Sequence, residues 1–191
     1  MGSLDKAIEV IREGGIVIFP TDTAFGIGCR MDNEKAVEKL FKIKKRPPTQ
    51  AVPALFDSMS RVEEYVLPFE ASIKRLMKRY WPGALTVVLP CKQTRVPVLV
   101  RGGGKTLGVR IPNHPVPMQL IKAVDIPILA PSANFHGGAT PYIFGELDKT
   151  LIKLVDFVVE GESKGSLSST VVDCSKSPWE IIRQGAILLD L

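Results

Sequence analysis

The stretch IVIFPTDT, residues 16–23, decides the fold of this chain because it runs from a buried strand into a polar turn. Its four apolar residues predict a strand that is covered on both faces, and Pro20 ends it. A similar change follows Ile126–Ala130, where Pro131 leads to Ser132 and Asn134. Ligands of open α/β sheets bind at the carboxyl ends of strands, so we expect these two loops to converge on one site. Turn formation alone is the alternative reason for such residues.

Helical and extended patterns alternate on both sides of this stretch, which indicates an α/β protein. Helical spacing of apolar residues predicts helices within residues 4–13, 32–41, 72–80, 117–124 and 143–154. Apolar runs predict strands at 16–19, 51–56, 85–89, 107–111, 126–130, 157–160, 170–174, 180–183 and 186–189. Pro53 makes the second of these an edge or bulged strand. The order predicts an open, twisted sheet of mixed strand direction with helices packed on it, in a single domain spanning residues 1–191.

The composition excludes several classes of protein. Of 191 residues, 45% are hydrophobic and 24% are charged, which is typical of a globular chain and not of disorder or coiled coil. No apolar run reaches the roughly 20 residues that cross a bilayer, so we expect no membrane contact. The three cysteines are widely spaced and only two histidines are present. This predicts no disulfide framework and no protein-held metal centre, and it indicates a reducing, cytoplasmic location.

Positive charge is concentrated in the first part of the chain. Residues 1–110 carry a net charge of +8, whereas residues 111–191 carry −3. The stretch from Lys92 to Arg110 contains five cations and no acid. Such a concentration faces an anion, whether phosphate, nucleic acid or carboxylate, or it is simply a solvated surface.

Two cationic segments have a specific geometry. Arg46 follows a predicted helix and precedes two prolines, so it is held stiffly and could grip phosphate oxygens, although cations there also favour the helix dipole. Arg110 lies within a strand pattern and faces away from its apolar neighbours, so it meets water or lines a cavity. The run GGGKT at 102–106 is not a P-loop, because Leu99 stands where that motif needs glycine and a strand pattern follows it.

No nucleophile or paired-carboxylate motif accompanies these cations. Ser132 lacks the Gly-x-Ser-x-Gly context, and neither histidine has a triad context. The grouping of Arg, Lys, Ser, Thr and Asn instead suits positioning and electrostatic stabilisation of a reaction on an anionic, phosphate-bearing substrate.

Five ordered motifs resemble the YrdC/Sua5 family of threonylcarbamoyl-AMP synthases. They are PTDTAFGIG at 20–28, KKRP at 44–47, PSAN at 131–134, STVVD at 169–173 and RQGA at 183–186. Their order and spacing agree with the family along about residues 5–189. The resemblance implies a YrdC-like α/β fold with a large cationic cavity.

The resemblance also implies an activity. L-Threonine, bicarbonate and ATP, accompanied by Mg²⁺, would give threonylcarbamoyl-adenylate, pyrophosphate and water. A separate tRNA threonylcarbamoyl-transferase complex would use the adenylate to modify tRNA, and weak RNA binding is a further expectation.

The family's site residues can be carried over to matching positions. The implied threonine site is Thr23, Arg110, Ala130 and Ser169. The implied ATP site is Arg46, Gln50, Thr106, Ser132, Thr140 and Arg183. The implied catalytic group is Lys44, Arg46, Ser132 and Asn134.

This sequence departs from the family pattern at three site positions. Phe25 replaces a tyrosine, Gln50 stands where asparagine is common, and Leu55 stands where many members place histidine. The sequence given ends at Leu191, and we expect no second domain of the kind found in the longer family branch.

Two other functions remain open at this stage. A cationic cavity could hold duplex RNA through its phosphates, which would make the chain an RNA-binding module. Aromatic residues are only 7% and no stacking motif is visible, so base-specific reading is not expected. A related domain that forms a carbamoyl-adenylate from carbamoyl phosphate is the other alternative.

Overall fold

Strands and helices alternate along the chain in the computed structural model, which describes residues 2–189. The α-helices are α1 (Ser3–Arg12), α2 (Glu34–Lys44), α3 (Met59–Tyr65), α4 (Ala71–Tyr80), α5 (Pro115–Val124) and α6 (Lys149–Ile152). The strands are β1 (Val17–Phe19), β2 (Gly26–Gly28), β3 (Ala54–Leu55), β4 (Leu85–Pro90), β5 (Thr106–Arg110), β6 (Ile128–Leu129), β7 (Phe157–Val158), β8 (Thr170–Asp173) and β9 (Glu180–Arg183).

The strands form two sheets of mixed direction. The smaller sheet has the order β2-β1-β7, and the larger has the order β6-β3-β5-β4-β8-β9. Parallel pairs, such as β3 with β5 and β4 with β8, alternate with antiparallel pairs, such as β4 with β5. The prediction of an open, mixed α/β sheet with helices packed on it is therefore confirmed.

The two sheets are joined where β2 meets the segment around β6. The amide of Leu129 donates to the carbonyl of Cys29, and the amide of Ile27 donates to the carbonyl of Pro131, each at 2.9 Å. Gly28 is needed at this crossing because a Cβ there would lie 1.8 Å from the carbonyl oxygen of Leu129. This close approach brings the loops that follow β1 and β6 together, as the sequence predicts.

Strand β1 is buried on both faces, which explains its unbroken apolar sequence. Val17 and Phe19 pack into a cluster with α1 and α5, whereas Ile16 and Ile18 pack into the main core on the other side. Adjacent side chains of a strand point to opposite faces, so one short strand serves both cores.

Two predictions about elements are wrong, those for residues 186–189 and for β3 as an edge or bulged strand, and the helical prediction for residues 143–154 is confirmed in two short pieces. Residues 186–189 form no strand, because the amide of Ile187 donates to Thr170 Oγ1 and the Ile187 carbonyl accepts from that hydroxyl. The segment 143–154 contains only a 3-10 turn and the short α6, which Asp148 caps. β3 is an interior strand, whereas Pro53 predicted an edge or bulged one. Pro53 can be tolerated because it lies just before the paired residues of β3, and its carbonyl accepts from the Ala130 amide.

Two elements lack a prediction. β2 is three residues long with glycine at both ends and shows no extended apolar run, and α3 begins at the cap Ser58 with no long apolar period. Among residues 2–189, no helix is long and apolar enough to cross a membrane.

Candidate active site

A cleft of about 450 Å³ lies over one face of the larger sheet. Its floor includes Thr106, Gly108 and Arg110 of β5, because residues two apart on a strand share a face. Thr86 and Val88 of β4 lie on the same floor. The turn after β1, the chain after α2 and the loop after β6 form the walls. At about 3.4 Å per residue, the cleft extends roughly 13 Å along β5 from one end of this floor to the other.

Arg110 is buried at one end of the cleft, and three protein groups hold its guanidinium. Its Nε donates to the Gly83 carbonyl at 3.0 Å, Nη1 donates to Thr23 Oγ1 at 3.1 Å, and Nη2 donates to Asp22 Oδ1 at 2.6 Å. The Arg110 and Asp22 side chains are each only 8% exposed. Because guanidinium has five N–H groups, two remain free to meet a ligand carboxylate.

The turn after β1 presents Thr23 to this arginine. Thr21 Oγ1 donates to the Ala24 carbonyl at 2.7 Å and accepts from the Thr23 amide at 3.1 Å, so the Thr21 hydroxyl closes the turn. Thr23 Oγ1 is thereby free to accept from Arg110. The amide of Lys164 donates to the Thr21 carbonyl at 3.1 Å, so a later segment of the chain crosses over the turn.

A pair of hydroxyls lies between β4 and β8 at the same end. Thr86 Oγ1 and Ser169 Oγ are 2.9 Å apart. Arg183 of β9 donates to the Ser169 carbonyl at 3.0 Å and to Ser169 Oγ at 3.1 Å. Burial, followed by the positive charge of Arg110, lowers the pKa of the Arg183 guanidinium. Arg110 and Arg183 bring two positive charges to this end of the cleft, and Asp22 pairs with Arg110. The positive charge of Arg183 therefore favours an anionic ligand here.

Arg46 lies toward the other end of the cleft. β3 runs parallel to β5, so the chain entering β3 lies near Thr106. Arg46 Nε donates to the Gln50 carbonyl at 2.9 Å, and Nη2 donates to the Ala51 carbonyl at 2.5 Å. Burial lowers the pKa of the Arg46 guanidinium. Its bonds are to neutral carbonyls, so its charge is available to an anion in the cleft.

Ser132 faces the cleft, whereas Lys44 lies behind the same loop. Lys44 Nζ donates to the carbonyls of Ser132 and Asn134 at 2.6 and 2.5 Å. Lys44 is 2% exposed, and burial, followed by the positive charge of Arg46, lowers its pKa to about 7. Lys44 itself is not among the residues that line the cleft.

The structure brings together eight of the twelve residues proposed from the sequence. Those that line the cleft are Thr23, Arg46, Thr106, Arg110, Ala130, Ser132, Ser169 and Arg183. Those outside its lining are Lys44, Gln50, Asn134 and Thr140. Spacing along a motif does not show which side of a loop a side chain takes, and this explains the exceptions.

Four polar lining residues, Thr21, Thr86, Ser168 and Asp173, are absent from the site residues proposed from the sequence. A signal for Thr86 was present, because a lone hydroxyl within the apolar run 85–89 is the same pattern that singled out Arg110. Asp173 ends β8, and its Oδ1 accepts from the amide and the hydroxyl of Ser175 at 2.9 and 2.6 Å.

Two of the three departures from the family pattern, Phe25 and Leu55, lie at the cleft wall. The Phe25 ring is fully buried and packs edge-on against Phe144, with ring centroids 6.1 Å apart. Leu55 is the strand partner of Arg110 and lines the cleft. Both positions therefore offer apolar surface where a tyrosine and a histidine would offer polar groups.

The protein contributes few groups that could hold a metal. Within the described part of the chain, no three His, Cys, Asp or Glu side chains are grouped to bind one. Asp173 is the sole carboxylate among the lining residues. Mg²⁺ at nucleotide sites uses one or two carboxylates together with substrate phosphates. The residues present therefore fit a Mg²⁺ ion only if a nucleotide holds most of it.

Guanidinium groups and hydroxyls on the floor of a mixed sheet define an α/β protein with an anion-binding cleft, suited to small ligands that carry carboxylate and phosphate. The profile of the Sua5/YciO/YrdC family, described as "Telomere recombination", matches residues 9–185. The chain belongs to this family.

Individual relatives share both sequence and structure with the chain. The threonylcarbamoyl-AMP synthase of Bacillus subtilis is 35% identical over 186 residues, which cover 95% of this chain and 53% of that protein. The structure of Pyrococcus abyssi Sua5 complexed with L-threonine is 33% identical, with a TM-score of 0.89, and the match covers 95% of this chain and 54% of that one. The structure of Escherichia coli YciO is 27% identical, with a TM-score of 0.86, over 96% and 89% of the two chains. This chain thus spans about half the length of the Bacillus and Pyrococcus proteins.

Proposed function

We propose that this chain forms L-threonylcarbamoyl-adenylate and pyrophosphate from L-threonine, bicarbonate and ATP. The observation that carries the proposal is the single cleft with Arg110, Thr23 and Ser169 at one end and Arg46 toward the other. Support also comes from the Bacillus relative, which is named threonylcarbamoyl-AMP synthase, and from the Pyrococcus relative, whose structure contains L-threonine.

The Arg110 end suits an amino acid. The two unused N–H groups of Arg110 would bind the threonine carboxylate, which adds a second anion to the one that Asp22 already supplies. The hydroxyls of Thr23 and Ser169 would bind the amine and hydroxyl of the substrate, and Ala130 would contact its carbon chain.

The remainder of the cleft suits ATP. Arg46, Thr106 and Ser132 line it and would contact the nucleotide, and Arg183, beside Ser169, would contact it from the Arg110 end. Mg²⁺ bound to the phosphates would neutralise part of their charge, and the Asp173 carboxylate is a protein group of the lining that could help to hold it. Gln50 and Thr140 lie outside the lining, so in our proposal they contact ATP only after local movement.

The chemistry requires positioning more than a protein nucleophile. The threonine nitrogen bonds to the carbon of bicarbonate and water leaves, which gives a carbamate. A carbamate oxygen then attacks the α-phosphorus, the bond from that phosphorus to the bridging β-phosphate oxygen breaks, and pyrophosphate departs. Arg46 and Arg183 stabilise the negative charge that spreads over the phosphates, and the cleft walls limit access of water to the unstable carbamate.

Beyond the reaction itself, we propose that a separate transferase complex in the cytoplasm takes the adenylate for the threonylcarbamoyladenosine modification of tRNA. Reconstitution with the chain, tRNA and that complex would test this step by the appearance of the modified nucleoside.

Pyrophosphate release by the purified chain tests the reaction. Release should require L-threonine, bicarbonate and ATP together, and mass spectrometry should detect the threonylcarbamoyl-adenylate. Release that ignores threonine would overturn the assignment. Salt-sensitive RNA binding without binding of threonine or ATP would favour an RNA-binding module instead.

A further inference from the structure

Lys44 is a buried cation whose partners are all neutral oxygens. Its side chain is 2% exposed, and Nζ lies 2.6 Å from the Ser132 carbonyl, 2.5 Å from the Asn134 carbonyl and 3.5 Å from Asn134 Oδ1. The lining of the cleft excludes it. An ammonium has three N–H groups, so these contacts use its donors and leave no clear donor for a substrate.

The loop that Lys44 binds is the one that carries Ser132 into the cleft. The ammonium binds the carbonyls of Ser132 and Asn134, two residues apart, and Ser132 lines the cleft. Ser132 Oγ donates to Asn134 Oδ1 at 2.6 Å, and Asn134 Nδ2 donates to the Gly138 carbonyl at 2.5 Å. The ammonium therefore anchors a network whose exposed end is a hydroxyl in the cleft.

The backbone of Lys44 adds a second connection to the same region. Lys44 is the last residue of α2, and its carbonyl accepts from the His136 amide at 2.8 Å. Helix α2 and the loop after β6 are thus linked through both the main chain and the side chain of one residue. Arg46 follows Lys44 by two residues. The contacts of Lys44 therefore link the cleft wall that carries Arg46 to the wall that carries Ser132.

We propose that Lys44 is a positioning residue, which fixes Ser132 and the loop at residues 131–138 from behind and does not touch the substrates. The inference rests on the proposed function for its catalytic consequence, but the anchoring itself is a property of the free protein. Burial, followed by the positive charge of Arg46, lowers the Lys44 pKa to about 7, and the contacts of Nζ are to neutral oxygens.

The test compares Lys44→Met with Lys42→Met, an exposed lysine on the same helix. Amide hydrogen exchange of residues 131–138 should speed up in Lys44→Met and stay unchanged in Lys42→Met, while exchange in β4 and β5 stays as in the unmodified protein. Lys44→Gln keeps two N–H donors and serves if the methionine variant fails to fold; its loop exchange should lie between the other two.

Catalysis and ATP binding provide the readout that distinguishes positioning from phosphate contact. With a misplaced hydroxyl, kcat for pyrophosphate release should fall roughly 100-fold, while the calorimetric Kd for ATP changes less than about threefold. Unchanged loop exchange in both Lys44 variants would overturn the proposal, as would an ATP affinity loss with an undisturbed loop. If the unmodified protein makes no adenylate, the proposed function fails, yet the exchange comparison still decides the role of Lys44.

Discussion

The buried ion pair between Arg110 and Asp22 offers a quantitative test of the cleft floor. Both side chains are 8% exposed and Nη2 lies 2.6 Å from Oδ1. For a charge separation of about 4 Å and an effective dielectric constant of about 20, the attraction is ~4 kcal/mol. Removing one member leaves the other charged and buried, so Arg110→Met should lower the free energy of unfolding by about 3–5 kcal/mol.

A double-mutant cycle isolates this interaction. We expect Asp22→Asn alone to lower the free energy of unfolding. The double variant, Asp22→Asn with Arg110→Met, should lose about 2–3 kcal/mol less of this free energy than the sum of the two single losses. Urea denaturation at pH 7, followed by circular dichroism, measures all four proteins. The exposed pair Lys74–Glu63 serves as the control, with an expected coupling below about 1 kcal/mol. Single losses that simply add at the Arg110 pair would refute the reasoning.

Three further predictions concern the sheet junction, a titrating cap and the anion-binding wall. Gly28→Ala should cost more than about 3 kcal/mol, because its Cβ would lie 1.8 Å from the Leu129 carbonyl, whereas Gly145→Ala, with nothing within 4 Å, should melt near the unmodified protein. His114 caps α5 through Nδ1, and burial lowers its pKa, so the stability it adds is present above pH ~6.5 and is lost as the pH falls. His114→Asn keeps a good cap and should flatten that acid loss in denaturation curves from pH 7.5 to 5; an equally steep loss would contradict the assignment to this ring. Arg46→Ala should remove roughly 2–5 kcal/mol of transition-state stabilisation from pyrophosphate release, and unchanged turnover would exclude it from the mechanism.

The local hydrophobic pattern was enough to predict the elements that have a clear hydrophobic period. β1 was predicted because a fully buried strand must be apolar on both faces, and Val17 and Ile18 indeed enter different cores. The pattern failed at residues 186–189, where a single hydroxyl, Thr170 Oγ1, satisfies the backbone that a strand would otherwise have paired. A hydrogen bond to a residue distant in sequence leaves no periodic trace.

The alternation of β5 indicated that Arg110 faces away from the apolar core, but it left water and a cavity as equal choices. The partners that settle the matter, Asp22 and Gly83, come from distant parts of the chain. The same limitation explains Thr86, whose neighbour Ser169 lies just before another strand, β8.

By itself, the sequence determined the α/β class, the two polar loops after buried strands and eight of the residues that line the cleft, because each follows from the local hydrophobic period or from an ordered motif. Only the tertiary structure decided that Lys44 turns inward while Arg46 faces the cleft, and that Arg110 already has an acidic partner. Which side of a loop a side chain takes depends on the atoms packed around it, and those atoms come from segments far away along the chain.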